Sequence, residues 1–262
     1  MHLPDHDLPT DSPDQRAADR RRWLRAFNLS LAAVLVLVAV FSAQGAFDLR
    51  AWTVQPWAWS NWRGLLGAPL LHGSFEHLAA NAIALLMLGT LTGGLYPRAV
   101  ARSLPLAWIG SGLGAWLLGD AGSYHLGASG VTHGLMFLLL GLGLLRRDRP
   151  SVAAAMIAFM FYGGMLLTVL PREAGVSWQS HLGGAIAGFI AAWLWRRADP
   201  ALPRKRYSWE LEEEAAAAAA EAQRNEFERP RPDDVPVLWH REPVRGQVLP
   251  FRPRTGPGEQ GD

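Results

Sequence analysis

Among the eight histidines in this 262-residue chain, His72, His77, His133 and His181 stand in or beside long apolar runs. An imidazole is costly to place in such surroundings, so each is a candidate for chemistry. The structural alternative is a histidine bonded to a backbone carbonyl inside a helix bundle. One serine is set among small residues nearby, in Gly127-Ala128-Ser129-Gly130. A serine hydroxyl within about 3 Å of an imidazole can act as a nucleophile whose proton the imidazole accepts. The run differs from the GxSxG elbow of soluble hydrolases, because Val131 occupies the place of the last glycine.

A second constellation is His72-Gly-Ser-Phe-Glu-His77-Leu-Ala-Ala-Asn81. His77 and Asn81 are four residues apart, share one face of a helix, and both can donate hydrogen bonds. Acyl transfer needs donors aimed at the oxygen that turns negative, and one such donor in a low-dielectric site is worth about 3 kcal/mol of barrier. His77, Asn81 and the Ser129 backbone N–H are the candidates for that oxyanion hole. A zinc reading of His72 and His77 is weaker, since HExxH is absent and no third ligand has suitable spacing. The chain lacks cysteine, which excludes disulfides, thiolate metal sites and a cysteine nucleophile.

These residues must be positioned by elements that cross a membrane. Half of the residues are apolar, only 18% are charged, and the charges crowd into the two ends. Apolar runs at about 27–45, 78–96, 101–118, 127–145, 152–170 and 179–196 have the length that a helix needs to span a bilayer. Lipid satisfies no free backbone donor, so each run is expected to be a helix. Arginines fall at the N-terminal arm, at Arg98 and Arg102, at Arg146, Arg147 and Arg149, and at Arg196 onward, all on one side of a six-span chain. That side is expected to be the cytoplasm, with both termini in it. Ser129 and His181 then lie at similar shallow depths from the opposite, outer face. The outer loop from Phe47 to Glu76 carries Trp52, Trp57, Trp59 and Trp62 and is expected to lie in the headgroup layer.

Closeness of the two helices needs thin surfaces. Gly130 and Gly134 on the fourth run, and Gly184 and Gly188 on the sixth, are small residues spaced by four. The expected organisation is a disordered cytoplasmic arm over residues 1–25, a six-helix domain over 26–197 and a cytoplasmic tail over 198–262. Within that tail Leu211–Gln223 favours helix, and the Pro- and Arg-rich stretch from Pro230 favours disorder. The basic residues form no aromatic-studded surface, so nucleic-acid binding is not expected.

At this point the sequence resembles the rhomboid intramembrane serine proteases. The resemblance rests on His72-x4-His77-x3-Asn81, Gly127-Ala-Ser129-Gly130, His181-x2-Gly184-x3-Gly188 and Trp62-Arg63, and covers roughly residues 57 to 196. It implies an all-α membrane protein with a six-transmembrane-helix rhomboid bundle. It further implies Ser129 as nucleophile, His181 as general base, and His77 with Asn81 completing the oxyanion hole. The implied activity is endopeptidase cleavage of membrane-anchored proteins near the outer face, without cofactor or metal. A bacterial-type inner membrane is the expected location, and oligomeric state stays open.

Two departures matter. Where many relatives carry an aromatic residue four after the serine, this chain has His133, which could stack on His181, hydrogen-bond, or shift the pKa of the base; stacking is expected, and the alternative is that His133 is itself the base. Where many carry a glutamate late in the second span, this chain has Gly93. No acidic residue in the spans is placed to orient His181, so a dyad is expected instead of a triad. The competing classes are a transporter that relays protons through its histidines and a catalytically silent rhomboid relative. The first predicts polar residues spread across the bilayer depth, and the second predicts loss of Ser129 or His181.

Overall fold

The computed structural model describes residues 13–172, 175–200 and 208–227. The chain divides into two units, Met1–Arg204 and Lys205–Asp262. The first is built from α1 (Pro13–Ala43), the short α2 (Arg63–Gly67), α3 (Phe75–Leu95), α4 (Pro97–Leu118), α5 (Ser129–Arg146), α6 (Arg149–Tyr162) and α7 (Trp178–Trp195). In the second, α8 (Ser208–Phe227) is a solvated helix made from a run of glutamates and alanines, the strongest helix formers.

Each of the six apolar runs is helical over most of its length. Four stretches, Arg16–Ala46, Phe75–Leu95, Ser129–Arg146 and Arg149–Leu166, are long and apolar enough by themselves to cross a membrane. α4 and α7 fall short of that measure. They carry Ser103, Gly110, Ser111, Gly112 and Gly114 on one and Gln179, Ser180, His181, Gly183 and Gly184 on the other. Small and polar residues that pack helix on helix lower a segment's hydropathy without making it lipid-averse.

Two boundaries differ from the sequence reading. α1 begins at Pro13, so residues 13–25 are helical and not a disordered arm; residues 1–12 of that arm lie outside the described residues. Once a helix is nucleated, extending it through Ala17, Ala18 and a series of arginines costs little. Asp14 in the first turn and the Asp19–Arg22 pair at 3.1 Å add to it. The fifth run, expected to reach 170, leaves α-geometry at Tyr162, passes through a 3-10 turn over Gly163–Leu166 and continues as irregular turn. The Pro-rich tail from Pro230 lies outside the described residues.

α5 is the central helix. Its window is 67% buried against 17% for those of α1 and α6, which puts α5 inside and the other two at the edge. Leu135, Met136, Leu138, Leu139 and Leu142 fill the interior with Leu88 of α3. Outward faces are apolar too, with Ile83, Met160, Phe161, Phe189 and Ile190 all exposed, as lipid contact requires.

α7 is wedged between α4 and α5 by bare backbone. A methyl group placed on Gly184 would collide with the carbonyl of Gly130, and one on Gly188 with the carbonyl of Gly134. On the other flank, a methyl on Gly183 would strike the Gly110 carbonyl, and one on Gly114 the Gln179 carbonyl. Adjacent glycines 183 and 184 thus face different neighbours, and the helix bearing His181 is seated against the helix bearing Ser129.

The end of the bundle away from Ser129 is tied by polar groups. The buried Asp199 carboxylate accepts from the N–H groups of Arg98 (3.0 Å) and Ala99 (2.9 Å), the first turn of α4. Arg146 donates to the carbonyls of Arg196 and Asp199 and pairs with Asp148, while Tyr96 donates to Ser151 at 2.7 Å. At the Ser129 end, the loop between α1 and α3 folds onto α4. Val54 and His125 exchange both backbone hydrogen bonds at 2.9 Å, and Trp59 meets Trp116 edge-on at 4.2 Å.

Candidate active site

Ser129 is the first residue of α5. The N–H groups of a helix's opening residues have no partner inside the helix, so the Ser129 N–H is left for another acceptor. The turn that delivers it depends on Gly127, whose φ of +117° is a left-handed conformation that side chains avoid. A methyl group there would also lie 2.5 Å from Cε1 of His77. The glycine therefore both permits the turn and lets the His77 ring pack against it. Gly127 N–H donates to the Ala68 carbonyl at 2.9 Å, which ties the turn to the loop between α1 and α3.

His181 is 6% exposed and stands one turn into α7, after Ser177, whose hydroxyl accepts from Ser180 N–H as the helix cap. Its Nε2 is 2.9 Å from Ser129 Oγ, and its Nδ1 is 3.0 Å from the Thr168 carbonyl oxygen. A carbonyl can only accept, so Nδ1 carries the proton and Nε2 has a lone pair directed at the serine hydroxyl. That is the tautomer a general base needs.

His133, 2% exposed, lies flat against His181 with ring centroids 3.9 Å apart and planes 14° from parallel. Its Nδ1 is 2.6 Å from the Ser129 carbonyl, and its Nε2 is 2.9 Å from Thr168 Oγ1 and 3.2 Å from the Met165 carbonyl.

His77 and Asn81 lie one turn apart on α3, and Asn81 is buried with its Nδ2 donating to the His77 carbonyl at 2.9 Å. Together with Ser129, His133 and His181 they line a cavity of about 1140 Å³, whose lining also includes the exposed Asp120 and Arg172. His72 is outside this cavity. It is 1% exposed and meets His77 edge to face at 5.0 Å, and its backbone is clasped by the Gln44 side chain at 2.8 and 2.9 Å. Burial, with His77 beside it, pushes its pKa down to about 4, which keeps the ring neutral. No group of three His, Cys, Asp or Glu able to hold a metal ion occurs among the described residues.

Two contributors escaped the sequence reading. Thr168 touches both imidazoles, one through its carbonyl and one through its hydroxyl, and a backbone carbonyl leaves no trace in residue type. His125 links three segments: its backbone pairs with Val54, and its ring lies 2.8 Å from Ser123 Oγ and 2.6 Å from Ser177 Oγ. Burial lowers its pKa, and Asp120 partly offsets this. A histidine two residues before Gly127 was the available signal.

Comparison with known proteins is consistent across distant sources. An uncharacterized protein of Mycobacterium tuberculosis is 35% identical over 193 residues, covering 70% of this chain and 80% of the relative. One of Mycobacterium leprae is 35% identical over 204 residues, 74% of this chain and 80% of its own length. A chloroplastic rhomboid-like protein of Arabidopsis thaliana is 24% identical over 206 residues, 68% of this chain and 69% of that protein. The Rhomboid domain family matches residues 58–198, from the tryptophan-rich loop to the end of α7, and with the apolar helices this makes the chain a multi-pass membrane protein belonging to the rhomboid family of intramembrane proteases.

Proposed function

We propose that this protein is a serine endopeptidase that cleaves membrane-anchored proteins through a dyad of Ser129 and His181. The observation that carries the reading is the pairing of Ser129 Oγ with His181 Nε2 at 2.9 Å, with the opposite nitrogen held on a carbonyl. Ser129 attacks the scissile carbonyl while His181 accepts its proton at Nε2. The tetrahedral oxyanion is received by the Ser129 N–H, His77 and Asn81. His181 then gives the proton to the departing amine, the acyl-enzyme forms, and water activated by the same imidazole releases it. Among the described residues no carboxylate bonds to His181, and the Thr168 carbonyl does the orienting that an aspartate does in a triad.

In this reading the chain crosses the membrane six times, with both termini in the cytoplasm and the dyad near the outer face of a bacterial-type inner membrane. The arginine bias of alternate loops supports that orientation. Substrates are transmembrane proteins whose helix unwinds near the cut, since a peptide bond inside an intact helix is shielded by its own hydrogen bonds. The deciding experiment is cleavage of a membrane-anchored reporter by the purified protein in liposomes. Ser129→Ala abolishes cleavage and labelling by a fluorophosphonate. Undiminished cleavage in that variant would overturn the proposal.

A further inference from the structure

The hydrogen bonds around the dyad form a closed circuit that begins and ends on Ser129. Its direction follows from donor and acceptor chemistry together with the contact lengths. Two carbonyls face His133, that of Ser129 at Nδ1 (2.6 Å) and that of Met165 at Nε2 (3.2 Å); a neutral ring carries one proton, and the much shorter contact assigns it to Nδ1, so that Nε2 accepts. The hydroxyl within reach of that Nε2 is Thr168 Oγ1 at 2.9 Å, which therefore donates to it. The Thr168 carbonyl in turn accepts from His181 Nδ1 at 3.0 Å, and His181 Nε2 accepts from Ser129 Oγ at 2.9 Å. Each of the four residues donates once and accepts once around the ring. The Met165 carbonyl, 3.0 Å from Thr168 Oγ1 and 3.2 Å from His133 Nε2, is the rival acceptor: the circuit closes when the threonine proton lies on the shorter contact to Nε2 and opens when it turns to Met165.

The circuit has a mechanical purpose. Thr168 sits in the irregular turn after α6, where no residue from Phe161 to Leu170 is buried and Leu167 and Leu170 are more than half exposed. The carbonyl that fixes the tautomer of His181 thus belongs to a weakly packed stretch at the edge of the bundle. Tyr162, Met165 and Leu166 pack against the interior cluster, and next to them the threonine hydroxyl makes the polar tie to His133, a buried ring on the nucleophile's helix. We propose that Thr168 and His133 are positioning residues that hold His181 in the base-competent tautomer through this ring. The proposal rests on the dyad reading above and adds to it a residue in the turn after α6.

The test uses the full-length protein in liposomes, with kcat and KM measured separately for a membrane-anchored reporter and with ¹⁵N spectra of the histidine rings. Wild-type spectra should show His133 and His181 both protonated at Nδ1; either ring found protonated at Nε2 alone overturns the proposal without any variant. Thr168→Val keeps the shape and removes the hydroxyl, and His133→Phe keeps a stacked ring and removes both nitrogens. Each should lower kcat about tenfold with KM unchanged, the scale of one lost orienting hydrogen bond, and move His181 to a mixture of tautomers. The double variant should be no slower than either single one, because all break the same link. Thr168→Ser restores the wild-type tautomer and rate. Full activity and an unchanged His181 tautomer in Thr168→Val overturn the ring while leaving the dyad standing, whereas an active Ser129→Ala removes the dyad itself.

Discussion

The rings of His133 and His181 are stacked at 3.9 Å, so a charge on one lies directly against the face of the other. Two imidazolium ions cannot share such a contact at small cost, and only one of the pair can take up the serine proton. The orientation of the nitrogens assigns that part to His181, because Ser129 Oγ is within reach of its Nε2 while both His133 nitrogens are engaged elsewhere.

His181→Ala should therefore lower reporter cleavage by about 10² to 10⁴, the range for loss of a general base. His133→Ala, which removes a positioning ring and its stack, should cost about ten- to a hundredfold. Initial cleavage rates and fluorophosphonate labelling measure both. An active His181→Ala beside a dead His133→Ala would exchange the two roles.

Gly184→Ala should be among the most disruptive single-methyl changes, because the new carbon collides with the Gly130 carbonyl, which belongs to backbone and cannot rotate away. Overpacking of this kind costs about 1–3 kcal/mol and here also separates the helices bearing Ser129 and His181. Gly73→Ala is the matched control, since its methyl would have only Leu126 within 4 Å, at 3.9 Å. Thermal midpoint in detergent and labelling rate should fall together for the first and hold for the second.

Stability should fall as the medium is acidified through the ordinary range of histidine. His72 has its pKa pushed from 6.5 to about 4, so between those values the unfolded chain binds a proton that the folded one refuses. The resulting destabilisation begins below about pH 6.5, is complete near pH 4, and reaches on the order of 3 kcal/mol. His125, also lowered by burial, acts in the same sense. Midpoints measured from pH 7 to 4 should drop steeply in the wild type and less steeply in His72→Gln.

Asp199→Ala should cost about 1–2 kcal/mol, since it removes a carboxylate that accepts from two N–H groups at the start of α4. Cleavage per folded molecule should be unchanged, because Asp199 lies at the end of the bundle opposite Ser129. Denaturation midpoints and specific activity measure the two effects separately.

Much of this arrangement can be read from residue types. Apolar run length marks the helices, and the order of the runs brings Ser129 and His181 to one level. Glycines four apart on α5 and α7 say which helices approach. Other parts cannot be read in this way. Thr168 acts through a carbonyl that every residue possesses, and its hydroxyl meets a histidine 35 positions away. Asp199 follows the last apolar run and looks like tail, although it closes a helix that begins 102 positions earlier. The start of α1 at Pro13 is hidden because a polar helix continuing out of an apolar one has no hydrophobic period to announce it.

The seating of α7 on bare backbone has a consequence for how this protein can change. In most soluble folds the interior tolerates exchange among apolar residues of similar size and the surface is free. Here the inner contacts at Gly130, Gly134, Gly183, Gly184 and Gly188 are specified by the absence of any side chain, and no smaller residue exists to substitute. The outward positions such as Ile83, Met160 and Phe189 need only remain apolar. Drift should thus accumulate on the lipid-facing skin, while the innermost seam stays fixed at the smallest residue available.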